Sequence, residues 1–193
     1  MVDDMDKKNL RLLDISNINC WMVKLKPGEI ANDYEFLKDF QDACVKCNIF
    51  GIGWKSEINN SKDYTNTAID NLSEVKIGNI LIMRNINAHY YVGRVSKEKF
   101  FEDNVIYNRL KEEKYINEKY NILSGIVEVE KWFEIKLEDE LPMEICGRFS
   151  QRFQSTITRF ANYRQSLLVI AAYERVSNNL ILDKGVPIIT LYL

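Results

Sequence analysis

Apolar and polar positions alternate with the period of strands in some segments of the chain and with that of helices in others. Cys20 to Leu25 alternates as a strand does, and residues 26–29 follow it with Pro and Gly, which favour a turn. Asp33 is suited to cap a helix running from Tyr34 to about Lys46, because the apolar residues of that segment fall on one helical face. Ile49 to Trp54 is short and apolar and predicts a buried strand.

The middle of the chain predicts a hairpin between two polar stretches. Residues 55–73 are rich in Asn, Ser and Thr and predict a loop with a short helix. Two apolar runs, Asn79 to Arg84 and Tyr90 to Val95, flank the turn residues 85–88, which is the arrangement of a β-hairpin. Residues 104–119 are charged and compatible with a helix.

The last third of the chain predicts strands at both ends and a helix between them. Ile122 to Trp132 has the character of a strand, which Phe133 to Ile135 continues. Leu141-Pro142 marks a turn, and helical spacing dominates from Arg148 to Ala172. Val186 to Leu193 is β-branched and apolar and predicts a final strand.

These segments together predict one α+β domain. The chain of 193 residues is long enough for a single buried core, and no internal repeat or Gly/Ser- or Pro-rich linker divides it. Residues 1–17 are polar with weak periodicity and are expected to form a flexible extension. The domain is therefore assigned to residues 18–193, with a helix and a strand in its C-terminal part, residues 148–193.

Composition indicates a globular protein, and its net charge does not indicate a particular kind of partner. Hydrophobic residues make up 46% of the chain and charged residues 28%, and the net charge of −2 is not that of a typical nucleic-acid binder. The longest apolar run, residues 166–173, is too short to span a bilayer, so we expect a cytoplasmic protein with no membrane partner. Cys44 and Cys47 form one C-x-x-C without a second pair, which favours unpaired thiols over a zinc site.

Catalytic motifs are few. His89 is the only histidine, and neither a G-x-S-x-G elbow nor a phosphate-binding P-loop occurs. Glu128-Val-Glu130-Lys131 superficially fits a nuclease motif, but a match this short arises readily by chance. We therefore expect no enzyme activity, no cofactor and no metal.

Aromatic residues on the predicted strands offer a binding chemistry. For most of them core packing is the favoured interpretation. Trp54 differs, because it ends an apolar run and precedes the polar residues Lys55 and Ser56. An indole at the mouth of a strand, beside donors such as Ser56 and Lys24, is suited to stacking on a flat heteroaromatic ring.

The order of six segments is informative. They are Cys20-Trp-Met-Val-Lys24, Ile49-Phe-Gly-Ile-Gly-Trp-Lys-Ser56, Val75-Lys-Ile-Gly-Asn-Ile-Leu-Ile82, Asn87-Ala-His-Tyr-Tyr-Val-Gly-Arg-Val95, Ile126-Val-Glu-Val-Glu-Lys-Trp132, and Leu141-Pro142 followed by Arg148-Phe-Ser-Gln-Arg-Phe-Gln-Ser-Thr-Ile157. In this order they resemble the PUA-like superfamily, which includes the EVE and YTH domains, from about Ile18 to Arg164. Asn79 stands where that family more often has Asp. Residues 100–120 form an insertion relative to a minimal EVE domain.

The resemblance implies a PUA/EVE-like mixed β-barrel with flanking helices that reads a modified, probably methylated, base in DNA or RNA. It places the base, flipped out of its strand, among Trp54, Lys24, Ser56, Tyr90 and Trp132. The phosphate contacts that it implies are Arg84, Arg94, Arg148 and Arg152. Related modules of the McrB type serve bacterial or phage defence by restriction, so a nuclease or NTPase subunit is a further implied partner.

Two other classes of function stay open at this point. An inhibitor or protein-interaction module, acting against such a defence system, would use the same fold with its exposed aromatic residues as the contact surface. A small metal-dependent nuclease would use Glu128 and Glu130. Nucleic-acid binding is the favoured hypothesis.

Overall fold

Helices and strands mix along the part of the chain that the computed structural model describes, which comprises residues 18–25, 33–52, 64–97, 100–101, 125–136, 141–150 and 156–177. The helices in these ranges are α1 Tyr34–Lys46, α2 Tyr64–Glu74, α3 Met143–Ser150 and α4 Tyr163–Ser177. The strands are β1 Cys20–Val23, β2 Ile49–Ile52, β3 Ile80–Arg84, β4 Tyr90–Arg94, β5 Phe100–Phe101, β6 Gly125–Glu128, β7 Phe133–Ile135 and β8 Ile157–Arg159.

The described strands form two sheets. The larger has five strands in the order β7-β4-β3-β1-β8, and the smaller has three in the order β2-β6-β5. β1 and β3 are parallel, with Cys20 opposite Ile80 and Val23 opposite Met83, whereas the other pairs are antiparallel. A parallel pair needs a long crossover, and here α1, β2 and α2 lie in the connection.

The sheets meet at one corner without closing into a barrel among the described residues. β4 continues to Val95, which bridges to Val129 beyond the end of β6, and the Glu130 amide donates to the Arg94 carbonyl at 2.8 Å. β7 and β8 are the terminal strands of the larger sheet. The α+β class is therefore confirmed. The expected closed barrel is not found in the described strands, because their pairing leaves both sheets open.

The larger sheet separates two apolar cores, because side chains alternate across a strand. Trp21 and Val23 of β1 point to the first core, which includes α1, α2 and the smaller sheet. Cys20 and Met22 point to the second core, which is formed with α3 and α4. Both faces of the sheet are thus buried, which accounts for the nearly continuous apolar runs of its central strands.

The predicted first helix and the predicted hairpin are confirmed. α1 has the expected bounds, and the Phe36 amide donates to Oδ1 of its N-cap Asp33 at 3.1 Å. β3 and β4 pair in antiparallel register across the turn. Where residues 55–73 predicted a loop with a short helix, the structure has the 11-residue helix Tyr64–Glu74, because Ala68 and Leu72 supply a buried face at helical spacing.

Between Arg148 and Ala172, where helical spacing dominates in the sequence, the structure has parts of two helices and a strand that was not predicted. α3 ends at Ser150, β8 follows at Ile157–Arg159, and α4 begins at Tyr163. β8 pairs with β1, placing Ile157 opposite Val23. The segment Ile157-Thr-Arg fits a strand because two of its residues are β-branched, and the pairing uses the otherwise free edge of β1.

Several predictions concern residues outside the described ranges, namely the extension 1–17, the segment 104–119 and the final strand 186–193. Of the insertion at 100–120, only β5 is described. Among the described helices, none has the length and apolar character needed to cross a membrane.

Candidate ligand-binding cleft

A cleft of about 320 Å³ opens at the carboxyl ends of the parallel strands β1 and β3. We call it the β1–β3 cleft. Its described lining comes from four places in the fold: Lys24, Leu25, Leu37, Gln41, Arg84, Asn85, Ile86 and Phe149. The carboxyl ends of neighbouring parallel strands are a common ligand site in mixed folds, because the chain leaves the sheet there in different directions. The volume lies at the lower end of the range for small-molecule pockets.

Gln41 of α1 holds the two strand ends apart. The β1–β3 ladder ends at the pair Val23–Met83. Beyond it, the Gln41 amide nitrogen donates to the Leu25 carbonyl at 2.6 Å, and the Ile86 amide donates to the Gln41 Oε1 at 2.8 Å. One buried side chain therefore bridges the two chain segments beyond the end of the ladder, beside the cleft.

Asn85 forms the polar corner of the cleft at the start of the turn between β3 and β4. Its Oδ1 accepts a hydrogen bond from the His89 amide at 2.8 Å, and its backbone amide donates to the His89 carbonyl at 2.9 Å. Ala88 completes the turn at φ 65°, a left-handed conformation uncommon outside glycine and asparagine. The turn thus fixes Asn85, which is 8% exposed, against the cleft.

Tyr90 lies outside the lining and contacts two of its residues, Arg84 and Phe149. Arg84 lies over the ring of Tyr90, with 5.7 Å from Cζ to the ring centroid. Tyr90 in turn contacts Phe149 of α3 edge to face, at 5.3 Å between centroids. This chain of contacts positions both Arg84 and Phe149 beside the cleft.

The described lining is positively charged. Lys24 and Arg84 contribute two cations, and no Asp or Glu is among the described lining residues. Ile86 and Phe149 supply apolar surface, and the buried residues Leu25 and Leu37 lie behind it. The cleft is therefore suited to a flat, partly apolar ligand that carries negative charge or hydrogen-bond acceptors.

The structure brings together part of the set predicted from the sequence. Lys24 and Arg84 line the cleft, Tyr90 supports Arg84 from outside the lining, and Arg148 immediately precedes Phe149 on α3. Lys24 was predicted as a base contact and Arg84 as a phosphate contact. Their meeting at one end of the sheet follows from the parallel pairing of β1 and β3.

Two predicted residues lie elsewhere. Trp132 is 4% exposed and its indole N–H donates to the Ile49 carbonyl at 3.1 Å, so the ring belongs to the core and does not line the cleft. Arg94 is at the far end of β4, opposite Ile80, with Nη1 at 4.0 Å from Oε1 of Glu130. Trp54, Ser56 and Arg152 lie outside the described residues.

Sequence reasoning missed Gln41, Asn85 and Phe149 as cleft residues. Gln41 carried a readable signal, because it is a polar residue on the apolar face of α1, beside Leu37 and Phe40. Asn85 was assigned only to a turn. Phe149 gave no comparable signal, since its role depends on how α3 packs against the sheet.

The described residues give no support to a nucleophilic site. His89 pairs its Nδ1 with Oε1 of Glu134 at 2.9 Å. Burial raises the pKa of Cys20 to about 12, and burial also raises the pKa of Cys44, with a further contribution from Cys47. Thiols with raised pKa values are poor nucleophiles. No group of three or more His, Cys, Asp or Glu residues within the described ranges could hold a metal ion.

Comparison with known proteins adds no family assignment. The chain matches no protein-family model, no curated protein and no solved structure.

Proposed function

We propose that this protein is a nucleic-acid-binding module that accepts a single modified base of DNA or RNA in the β1–β3 cleft. The observation that carries the proposal is the composition of the cleft, which combines two cations, an aromatic ring and apolar surface without a described acid. A nucleotide matches each of these elements, because it joins a flat ring to a phosphate.

Contacts in the cleft can offset the free-energy cost of taking a base out of its stack. Unstacking a base costs a few kcal/mol. Stacking on an aromatic side chain contributes about 1–3 kcal/mol per base, and Phe149 with the apolar cleft residues is available for this contact. Hydrogen bonds to the edge of the base, to which Lys24 contributes, supply the remainder, and Arg84 meets an adjoining phosphate.

The order of sequence motifs is a second, independent line of support. It resembles PUA-like modules that read modified bases, and it places Lys24 in the pocket by a route that does not depend on the cleft. The proposal retains Trp54 as a ring that stacks on the base and Ser56 as its hydrogen-bonding neighbour. A role in restriction or defence is part of the same proposal and rests on this resemblance alone.

The test is binding to matched oligonucleotides at stated salt concentrations. The panel carries N6-methyladenine, 5-methylcytosine, 5-hydroxymethylcytosine or N2-methylguanine at one central position, beside unmodified controls. We expect at least one modified strand to bind more tightly than its control, and Trp54→Ala to reduce that difference. Equal and weak binding to every strand, unchanged by Trp54→Ala, would rule out the proposal.

Charge at the cleft is tested by salt dependence. Arg84→Gln should lower the slope of log affinity against log salt by about one, the loss expected for one phosphate contact. Lys97→Gln is the matched control, because it removes the same charge beyond the other end of β4, where Lys97 pairs with Glu128 at 2.7 Å. If both variants change the slope equally, the phosphate contact does not lie at the cleft.

A further inference from the structure

We infer that Tyr90 is a positioning residue, which holds the phosphate-binding cation and the aromatic ring of the β1–β3 cleft together as one binding unit. This inference rests on the proposed function and assigns a role in that site to a residue outside its lining. The sequence motifs implied Tyr90 as a base contact, but Tyr90 does not belong to the described lining of the cleft. Its effect on a bound nucleotide would therefore pass through its neighbours.

Strand pairing places Tyr90 beside Arg84. The two residues lie directly opposite each other in the β3–β4 register. The next pair toward the turn is hydrogen-bonded, with the Asn85 amide donating to the His89 carbonyl at 2.9 Å. Hydrogen-bonded and non-hydrogen-bonded pairs alternate in an antiparallel ladder, so Arg84 and Tyr90 form a non-hydrogen-bonded pair, in which facing side chains approach most closely. Arg84 Cζ accordingly lies 5.7 Å from the centroid of the Tyr90 ring, within the range of a cation–π contact.

The same ring makes a second contact, with Phe149 of α3. The two ring centroids are 5.3 Å apart and the ring planes are inclined at 78°, which is an edge-to-face arrangement. Tyr90 and Phe149 are both half-buried and pack against the second core. Tyr90 thus links a side chain of β3 to a side chain of α3, and both of these side chains line the cleft.

Contacts that exist before a ligand arrives reduce the cost of binding. An arginine side chain loses rotamer freedom when it pairs with a phosphate. The Tyr90 ring already restricts Arg84 in the unbound protein, and this restriction lowers the entropy lost on binding. Removing the ring would leave the charge of Arg84 in the protein but would no longer hold it at the cleft. An uncharged substitution should therefore change an electrostatic property of binding.

The experiment measures the salt dependence of binding for Tyr90→Leu and Tyr90→Phe, with the oligonucleotide of the modified-base panel that the wild-type protein binds most tightly. We expect Tyr90→Leu to lower the slope of log affinity against log salt by about half a unit to one unit, although it removes no charge. At a fixed salt concentration it should reduce the affinity by about threefold to tenfold. Tyr90→Phe keeps the ring and should leave the slope unchanged.

Tyr91→Leu is the matched control. It removes the same kind of ring from the next residue of β4, whose side chain packs against the first core on the other face of the sheet. The slope should stay at the wild-type value in this variant, because a loss of stability alone removes no phosphate contact. If Tyr90→Leu does not fold, Tyr90→Met takes its place, since a flexible side chain fills irregular space.

Combining Tyr90→Leu with Arg84→Gln tests whether Tyr90 acts through Arg84. We expect the double variant to have the slope of Arg84→Gln alone, because the charge that Tyr90 positions is then absent. A further decrease in the double variant would show that Tyr90 acts on another charge, and would overturn the inference.

The outcomes separate this inference from the proposed function. If the wild-type protein binds oligonucleotides and Tyr90→Leu keeps the wild-type slope, the inference is overturned while nucleic-acid binding stands. A lower affinity at that unchanged slope would assign Tyr90 to the base itself. A decrease of the slope that is as large in Tyr90→Phe or Tyr91→Leu as in Tyr90→Leu would also overturn the inference. If the wild-type protein binds no strand, the inference and the proposed function both fail.

Discussion

Single buried polar residues organise this fold at the residue scale. Three of them, Gln41, Asn79 and Asn85, are buried among the described residues. Each uses its side-chain oxygen as an acceptor for one or more N–H donors. An amide can do this without burying a charge, which would cost more than burying a neutral polar group.

Asn79 joins the first core to the turn before β3. Its Oδ1 accepts from the Trp21 indole at 3.0 Å and from the Lys76 amide at 3.2 Å. We expect Asn79→Ala to lower the free energy of unfolding by about 1–3 kcal/mol, because the buried indole N–H loses its acceptor. Urea unfolding followed by circular dichroism measures the change.

The control at this position is Asn79→Asp, which preserves an oxygen for both donors. It should cost less stability than Asn79→Ala, because the two N–H donors offset the cost of burying the carboxylate. An Asp variant as unstable as the Ala variant would show that these two hydrogen bonds do not offset the buried charge.

At the scale of elements, the close approach of the segment between β6 and β7 to β4 requires a residue without a side chain. Gly93 lies in β4 where this segment packs against it. A Cβ atom at this position would be 2.9 Å from the Lys131 carbonyl oxygen and 3.1 Å from Cε3 of Trp132. The first of these neighbours is backbone and cannot move away cheaply.

We therefore expect Gly93→Ala to destabilise the protein by about 1–3 kcal/mol, the usual cost of overpacking a tight site. Gly147→Ala is the matched control, because its Cβ would have no neighbour within 4 Å and the residue lies in α3. Alanine there should stabilise by about 0.5–1 kcal/mol, since it favours helix more than glycine does. Thermal unfolding of both variants measures the difference. Equal shifts of the unfolding temperature would show that the site at Gly93 accommodates a Cβ atom.

At the scale of the whole molecule, one sheet contributes to both apolar cores. β1 and β3 supply alternate residues to each core. Unfolding of either core would therefore remove contacts that stabilise the shared sheet. We expect the described part of the chain to unfold as one cooperative unit.

Leu168→Ala tests this cooperativity from the second core, where Leu168 is 3% exposed. It should destabilise by about 2–5 kcal/mol. The transition followed by tryptophan fluorescence, to which Trp21 and Trp132 of the first core contribute, should move together with that followed by circular dichroism. The converse variant, Leu37→Ala in the first core, should show the same coincidence. Separate transitions would indicate two independent units.

The elements that the sequence predicted well are those with local signals. Asp33, the apolar face of α1 and the turn between β3 and β4 all act within a few residues, so their pattern is visible in the chain. β8 was missed for the converse reason. Its three residues become a strand through pairing with β1, more than 130 positions earlier in the chain by the register of Val23 and Ile157.

The candidate cleft likewise has features that the sequence predicts and features that it does not. The residue types of Lys24 and Arg84, and their positions at strand ends, could be read from the sequence. Their proximity could not, because it depends on β1 and β3 being parallel neighbours. The orientation of the Asn85 amide also required the structure, since the His89 backbone N–H determines which end of the amide is the oxygen.

The sequence by itself determined the α+β character, most of the local elements and the supply of cations and aromatic rings. These properties follow from periodicity, capping and composition, which act over short stretches of chain. Tertiary structure alone decided the pairing order of the strands, the division into two cores and the donor-rich lining of the β1–β3 cleft. Those properties depend on contacts between distant segments, and a pattern of residues along one segment does not specify its distant partner.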